Sequence, residues 1–343
     1  MRLYSKKAKY IEILCFLVQK MGSQGSNGVQ IMKVAFQMDP ITNVDAKADS
    51  TFRIAEEAQL RGHLLFYYEP NKLTSENGKA IALGHYFKIF GKENKSVQLG
   101  PEEVVELSEF DVVWLRQDPP FDMHYITTTF ILDALKPQTL VVNDPFWVRN
   151  LPEKLLVLSF PELIPPTSIT RDIDVLKSFK EKYGDIIVKP LYGNGGAGVL
   201  RLKRNDQNLE SIAEMYANFS REPLVAQMFL PEVTKGDKRI ILVDGNPVGA
   251  INRVPISGEI RSNMHVGGTA IKIGLTERDI EICNTIGPTL KEKGQIFVGI
   301  DVIGEYLTEI NVTSPTGLHE LERFDGVNAA SIIWNAIDEK LKA

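Results

Sequence analysis

A lysine closes the apolar run Ile186-Ile187-Val188-Lys189-Pro190, and the eight residues after it, Leu191 to Gly198, contain four glycines. Glycine lets backbone N–H groups close on an anion, and a lysine ammonium supplies a point charge, so the pair suits a phosphate. The segment is not a Walker loop, which needs G-x-x-x-x-G-K-[ST] opening a helix. A glycine turn beside a surface lysine is the plainer alternative. The Lys-Pro pair weighs against it by making the strand end rigid.

Acids stand inside two other apolar runs, Gly299-Ile300-Asp301-Val302-Ile303 and Leu307-Thr308-Glu309-Ile310-Asn311-Val312. Side chains alternate along a strand, so Glu309 and Asn311 share a face, which Asp301 on a partner strand can reach. Two carboxylates and an amide oxygen make an oxygen-only site suited to Mg²⁺ bridging phosphates. A solvent-facing polar strand face is the alternative, but a charge within an apolar strand is costly to bury unless paired or metal-bound. Val312-Thr313-Ser314-Pro315-Thr316-Gly317 adds hydroxyls beside these acids.

Arg116, Arg239, Arg253 and Arg261 form a third set. Arginine matches carboxylates bidentately, and a substrate with several carboxylates needs such a set in an acidic protein. For any one of them a surface ion pair is the simpler reading. Residues 256–270, rich in Gly and Asn, read as a mobile lid able to exclude water from a reactive intermediate. His265 there has no Ser, Cys or acid partner and takes no catalytic role.

The elements that must position these residues follow from periodicity. Lys33–Met38, His63–Glu69, Asp111–Gln117 and Thr139–Asn143 read as strands. Ala48–Arg61, ended by Gly62, and Tyr125–Leu135 read as helices, with a hairpin added at Lys79–Phe90. That alternation predicts a largely parallel sheet. The first strand runs into Asp39-Pro40 without the G-x-G-x-x-G a dinucleotide needs, so NAD is excluded at this turn. After about Asn150 the pattern changes. Pro152 opens a short helix, and Ile164-Pro165-Pro166 is a connector. Strands follow at Ile186–Pro190, Val199–Lys203 and Leu224–Leu230, with a helix over Asp206–Phe219. Lys238–Val243 and Pro247–Val254 flank the turn Asp244-Gly245-Asn246, Glu277–Lys293 is helical, and Phe297–Ile303 and Tyr306–Asn311 pair across Gly304-Glu305. Strands in hairpins predict an α+β half with antiparallel sheets.

Composition agrees with an enzyme of two or three domains. The 343 residues are 43% hydrophobic and 24% charged, and the net charge of −5 gives no nucleic-acid footprint. Cys15 and Cys283 are the only cysteines. Neither has metal-ligand spacing, which fits a reducing, cytoplasmic setting without disulfide or zinc. No apolar run approaches the roughly 20 residues of a membrane span. Lys6, Lys7 and Lys9 precede an apolar stretch broken by Glu12, too short and too charged for a signal peptide. Residues 1–31 read as an extension or a weak targeting segment joined by the flexible Gly22–Gly28 linker, with the globular protein beginning at Met32.

In order along the chain, Met38-Asp39-Pro40-Ile41, Leu115-Arg116-Gln117-Asp118-Pro119-Pro120-Phe121-Asp122, Val142-Asn143-Asp144-Pro145, Asn150–Lys154, Lys189–Gly196, Ala226-Gln227, Gly236-Asp237-Lys238-Arg239 and Phe297–Thr316 resemble bacterial-type glutathione synthetases of the ATP-grasp superfamily. The resemblance runs from about Met32 to the end, diverges over 317–323, and is loose in the 260–270 flap. It implies an α/β pre-ATP-grasp substrate domain over 32–150. An ATP-grasp domain with antiparallel sheets clamping the nucleotide would follow over 151–343, divided at 225/226. The activity implied is joining γ-glutamylcysteine to glycine with cleavage of ATP. Lys154 and Lys189 would contact phosphates, Gly193, Asn194, Gly195 and Gly196 would cover them, Gln227, Met228, Phe229 and Leu230 would line the adenine pocket, and Lys238 would lie near the nucleotide. Asp301, Glu309 and Asn311 would hold Mg²⁺ or Mn²⁺. Catalytic roles would fall to Arg239, Arg253 and Arg261, and substrate binding to Arg116, Asp118, Asn263, Ser314 and Thr316. A cytoplasmic homo-oligomer, tetrameric in the family's habit, is implied too.

The rivals are another ATP-grasp carboxylate–amine ligase, of D-alanine–D-alanine or glutamate-adding type, and a non-catalytic nucleotide-binding module. The arginine set and the Asp-Pro-Pro-Phe-Asp run favour a doubly acidic dipeptide, and the presence of all three metal-site residues disfavours the module. A hydroxyl kinase would need a catalytic base, which the sequence does not offer.

Overall fold

The computed structural model describes residues 31–342 except 92–95, 257, 260 and 263–266. The extension ahead of Ile31, Asn263, His265 and the tip of the 256–270 loop lie outside the described residues. Strand β1 (Lys33–Met38) is buried along nearly its whole length. Helix α1 (Ser50–Leu60) starts at Asp49, whose carboxylate accepts from Phe52 N at 2.7 Å, the expected N-cap bond. Then come β2 (Leu64–Tyr68), β3 (Leu73–Glu76), β4 (Lys79–Phe90), β5 (Ser96–Glu106), β6 (Val112–Arg116), α2 (Met123–Asp133) and β7 (Leu140–Val142). Strands β2, β1, β6 and β7 lie side by side and parallel, as strand–helix alternation requires. The 79–90 segment does more than form one hairpin: β4 pairs antiparallel with β2, β3 and β5 and adds a meander to the parallel core.

The chain then crosses through α3 (Pro145–Asn150) and α4 (Glu153–Leu156) into β8 (Thr167–Thr170), α5 (Ile173–Tyr183), β9 (Ile186–Pro190), β10 (Leu200–Leu202), α6 (Leu209–Phe219) and β11 (Leu224–Met228). Its strands form an antiparallel sheet in the order β10-β9-β11-β8. A second antiparallel sheet holds β12 (Asp237–Val243), β13 (Asn246–Val254), β14 (Thr269–Lys272) and, after α7 (Glu277–Glu292), β15 (Phe297–Ile303) and β16 (Tyr306–Asn311), in the order β14-β13-β12-β15-β16. Asp244 and Gly245 join β12 to β13 at φ of 47° and 81°, the two left-handed residues of a type I′ hairpin. The chain ends with α8 (Leu318–Asp325) and α9 (Ala329–Lys342).

The predicted division at residue 150 coincides with the end of α3, yet the main core crosses it. Phe36 and Trp114 of the parallel sheet share one apolar cluster with Ile241, Phe297, Leu321, Ile333 and Trp334. Trp334 Nε1 donates to Ile54 O at 2.9 Å, and Arg53 reaches Glu322 and Asn328. Asn143, at the end of β7, accepts from Phe297 N and donates to the carbonyls of Phe297 and Val312 at 2.7–2.9 Å. The parallel sheet is therefore fastened to the strands that carry Asp301 and Glu309.

Candidate active site

An open cleft lies between the two antiparallel sheets. One wall is β9 and β11. In β9 the alternation buries Ile186 and Val188 in the small core beneath, and turns Ile187 and Lys189 into the cleft. Gln227, Met228, Phe229 and Leu230 line it from β11 and its exit. Gln227 is fixed by its bond to Thr167 Oγ1 at 3.0 Å, and Phe229 by the Arg201 guanidinium 3.7 Å from its ring centre. Gly193 to Gly196 form the rim. A Cβ on Gly195 would meet nothing within 4 Å, so its φ of +59°, not lack of space, calls for glycine. Lys154 of α4 donates to Gly193 O at 2.6 Å and ties the rim to the floor.

The other wall is β12, β15 and β16. Asp301 and Glu309 sit directly opposite each other across the β15–β16 ladder, so their side chains project to one face. Asp301 is 4% exposed, which rules out the solvent-facing strand alternative. Arg239 grips it bidentately at 2.5 and 3.0 Å, Arg253 adds a contact at 2.9 Å, and Asn311 donates to it at 3.3 Å. Lys189 and Lys154 approach Glu309 at 3.3 and 3.5 Å. Burial works against ionisation of both carboxyls, but Arg239 and Arg253 outweigh it at Asp301, and Lys154 and Lys189 at Glu309, holding both below the ordinary carboxylate range. Burial likewise opposes the charge on Lys154, and Glu309 and Glu153 overcome it. Asp301, Glu309 and Lys154 are therefore charged at neutral pH.

Asp301, Glu309 and Asn311 offer oxygen donors only. Among the described residues no three His, Cys, Asp or Glu side chains gather at metal-binding range. The donor set is too small for a self-contained cage and fits a hard divalent cation that completes its shell with phosphate oxygens and water.

Arg261 lines the same cleft and is paired with Glu259 at 2.7 Å. Arg116, Asp118, Ser314 and Thr316 stand apart from its lining, where the parallel sheet meets the 312–317 segment. Arg116 is buried, donates to Thr51 Oγ1 and Pro315 O at 2.9 and 3.0 Å, and keeps Nη1 without a partner. The Ser314 hydroxyl is buried beside the Asp118 carboxyl, whose own amide donates to Asp39. Lys238 corrects an expectation. Period-two alternation puts Asp237 and Arg239 on the cleft face of β12 and Lys238 on the opposite one, where it pairs with Asp279 in the first turn of α7.

Two acids belong to the site beyond those the motifs single out. Asp237 lines the cleft and is held by Arg253 and Ser262. Its signal was the same alternation, since it precedes Arg239 by two. Glu153, beside Lys154, accepts from Thr313 at 2.9 Å. Burial pushes its carboxyl up, and Lys154 opposes that shift.

Two family models match the chain. "Prokaryotic glutathione synthetase, N-terminal domain" covers residues 32–149, and "Prokaryotic glutathione synthetase, ATP-grasp domain" covers 153–326. Glutathione synthetase of Mesorhizobium japonicum is 55% identical over 311 residues, 91% of this chain and 99% of the relative. That of Agrobacterium fabrum is 52% identical over 314 residues, 92% and 98% of the two chains. Among solved structures, D-cycloserine synthetase DcsG superposes with a TM-score of 0.64 over 90% of this chain and 99% of its own, at 13% identity, a likeness of fold.

Proposed function

The chain belongs to the prokaryotic glutathione synthetase family, and from that membership we propose that it joins γ-L-glutamyl-L-cysteine to glycine while cleaving ATP to ADP and phosphate. One observation carries the reading: two carboxylates, each held by two cations, face a glycine-rimmed cleft between antiparallel sheets.

The reaction must bring a substrate carboxylate against a triphosphate, anion against anion. Around the reacting end of the cleft Lys154, Lys189, Arg239 and Arg253 stand among Glu153, Asp237, Asp301 and Glu309, so an acidic protein gathers four cations where the two anions would meet. In this reading Lys154 and Lys189 take phosphate oxygens, the Gly193–Gly196 rim covers them, and the Gln227–Leu230 strip receives the base. The cysteinyl carboxylate attacks the γ-phosphorus to give an acyl phosphate, and the glycine amine displaces phosphate from it. No protein nucleophile is needed. Positioning and charge neutralisation carry the chemistry. Asp301, Glu309 and Asn311 would hold the divalent cation, Mg²⁺ with Mn²⁺ as its nearest substitute, which neutralises charge on the phosphates. Arg116, Arg239, Arg253 and Arg261, with Asp118, Asn263, Ser314 and Thr316, are the groups we assign to the dipeptide, glycine and the intermediate. The reading extends to a cytoplasmic homo-oligomer, with a tetramer favoured by the resemblance. Among the described residues no helix is long and apolar enough to cross a membrane.

The test is phosphate release from Mg-ATP with γ-glutamylcysteine alone, glycine alone and both, with the product identified by mass. Sustained turnover that needs both, with tripeptide as product, is expected. Turnover that ignores γ-glutamylcysteine and needs D-alanine or glutamate would move the chain to another ligase.

A further inference from the structure

The rim of the cleft is a segment that its glycines make costly to fix. Gly193, Gly195, Gly196 and Gly198 fall within six residues, and glycine loses more conformational freedom on ordering than any other residue. Lys154 donates to Gly193 O at 2.6 Å, and the Tyr216 hydroxyl of α6 donates to Gly198 O. Inside the loop Ala197 N donates to Asn194 O at 3.0 Å. A further hold comes from the other half of the chain. Tyr192, the residue before Gly193, stacks on Phe121 with ring centres 5.8 Å apart and planes 28° apart, within the range that aromatic pairs favour. Phe121 lies in the turn between β6 and α2 and packs against the core of the parallel sheet. Its ring is backed at 5.2 Å by that of Tyr125, which is fully buried in α2. The same turn ends at Asp122, whose carboxylate caps α2 by accepting from Tyr125 N at 2.9 Å. Tyr192 is 38% exposed, a surface ring seated on one that the sheet's core already fixes.

We propose that Phe121 and Tyr192 are positioning residues for the triphosphate: through this ring pair the parallel-sheet half of the chain holds the glycine rim over the cleft, and so contributes to ATP affinity without touching ATP. The assignment rests on the ligase reading above, which puts the phosphates beneath Gly193–Gly196. The stack differs in kind from the Lys154 bond. In that reading Lys154 turns to phosphate oxygens, so its hold on Gly193 competes with the nucleotide, whereas the ring pair draws on no group that the nucleotide needs. The strip assigned to the base is braced separately, Gln227 by Thr167 and Phe229 by Arg201. Cutting the stack therefore loosens the hold on the phosphates and spares the hold on the base.

The experiment titrates wild type, Tyr192→Ala, Tyr192→Phe, Phe121→Leu and the double variant Tyr192→Ala with Phe121→Leu by calorimetry, once with Mg-AMPPNP and once with AMP. AMP carries the base and lacks the β- and γ-phosphates. In Tyr192→Ala the Kd for Mg-AMPPNP should rise about three- to tenfold, the worth of one aromatic pair. The Kd for AMP should stay within about twofold, short of that loss. Tyr192→Phe keeps the ring and should restore wild-type affinity for both. Phe121→Leu leaves an apolar side chain on Tyr125 and should match the Tyr192→Ala loss, and the double variant should lose no more than either, because both changes remove the same contact. Wild-type affinity for Mg-AMPPNP in Tyr192→Ala, an equal loss of AMP, a loss in Tyr192→Phe as large as in Tyr192→Ala, or losses that multiply in the double variant would overturn the inference. Tyr192 is a surface residue, so its two variants decide the matter even if Phe121→Leu fails to fold. A wild-type protein that binds no Mg-AMPPNP would instead overturn the ligase reading.

Discussion

Glu309 is the residue on which the cleft's charge balance turns, because it faces Lys154 and Lys189 together and stands across the ladder from Asp301. Replacing it by glutamine removes one anionic oxygen ligand and leaves both lysines without their shared carboxylate. Glu309→Gln should lower the turnover number for phosphate release by at least about a hundredfold, as for loss of one preorganised electrostatic group, while far-UV circular dichroism stays unchanged. Near-normal turnover would remove Glu309 from the metal site. The two acids of this pair were legible in the sequence because a charge inside an apolar strand is costly unless it has a use. Asp237 was less legible. Its neighbour Lys238 carries the charge that a phosphate site suggests, and only the period-two rule separates the two, sending Asp237 and Arg239 to the cleft and Lys238 to Asp279.

The hairpins that deliver these residues depend on a few backbone positions. Gly236 has φ +127°, and a Cβ there would strike the Asn252 amide; substitution must shift the start of β12 and with it Asp237 and Arg239. Gly236→Ala should cost about 1–3 kcal/mol from the backbone conformation alone, read as a lower urea midpoint at unchanged m-value, with a fall in kcat beyond what lost folded protein explains. Full activity at full stability would mean that the turn does not position the acids. Elements with strong local chemistry were legible, as at Asp244-Gly245, whose positive φ angles demand that turn. Strands β8 and β14 were not. β8 is half-buried throughout and β14 is largely exposed, so neither offers the contrast between faces on which periodicity depends. Helix α5 does carry one, with Ile173, Leu176, Phe179 and Tyr183 at helical spacing against the small core.

At the scale of the molecule, the parallel sheet and the C-terminal helices share a core although residue 36 and residue 334 lie at opposite ends of the chain. No local pattern announces such a contact. Trp334 stacks edge-on to Trp114 at 6.0 Å between ring centres and is fully buried. Trp334→Ala should therefore cost about 3–5 kcal/mol in a single cooperative transition followed by circular dichroism; a loss below about 1 kcal/mol, the size of a surface substitution, would mean that α9 is an appendage. This union matters to the proposed reaction because it holds the sheet that ends at Arg116 against the strands bearing Asp301 and Glu309, so that a dipeptide bound at the first would meet a phosphate bound at the second. That meeting, a substrate carboxylate attacking the γ-phosphorus, is the central claim, and oxygen transfer tests it most directly. γ-Glutamylcysteine labelled with ¹⁸O in its cysteinyl carboxylate, turned over with Mg-ATP and glycine, should yield inorganic phosphate carrying one ¹⁸O per tripeptide formed. Unlabelled phosphate, or label found in AMP, would contradict the acyl-phosphate route through this cleft.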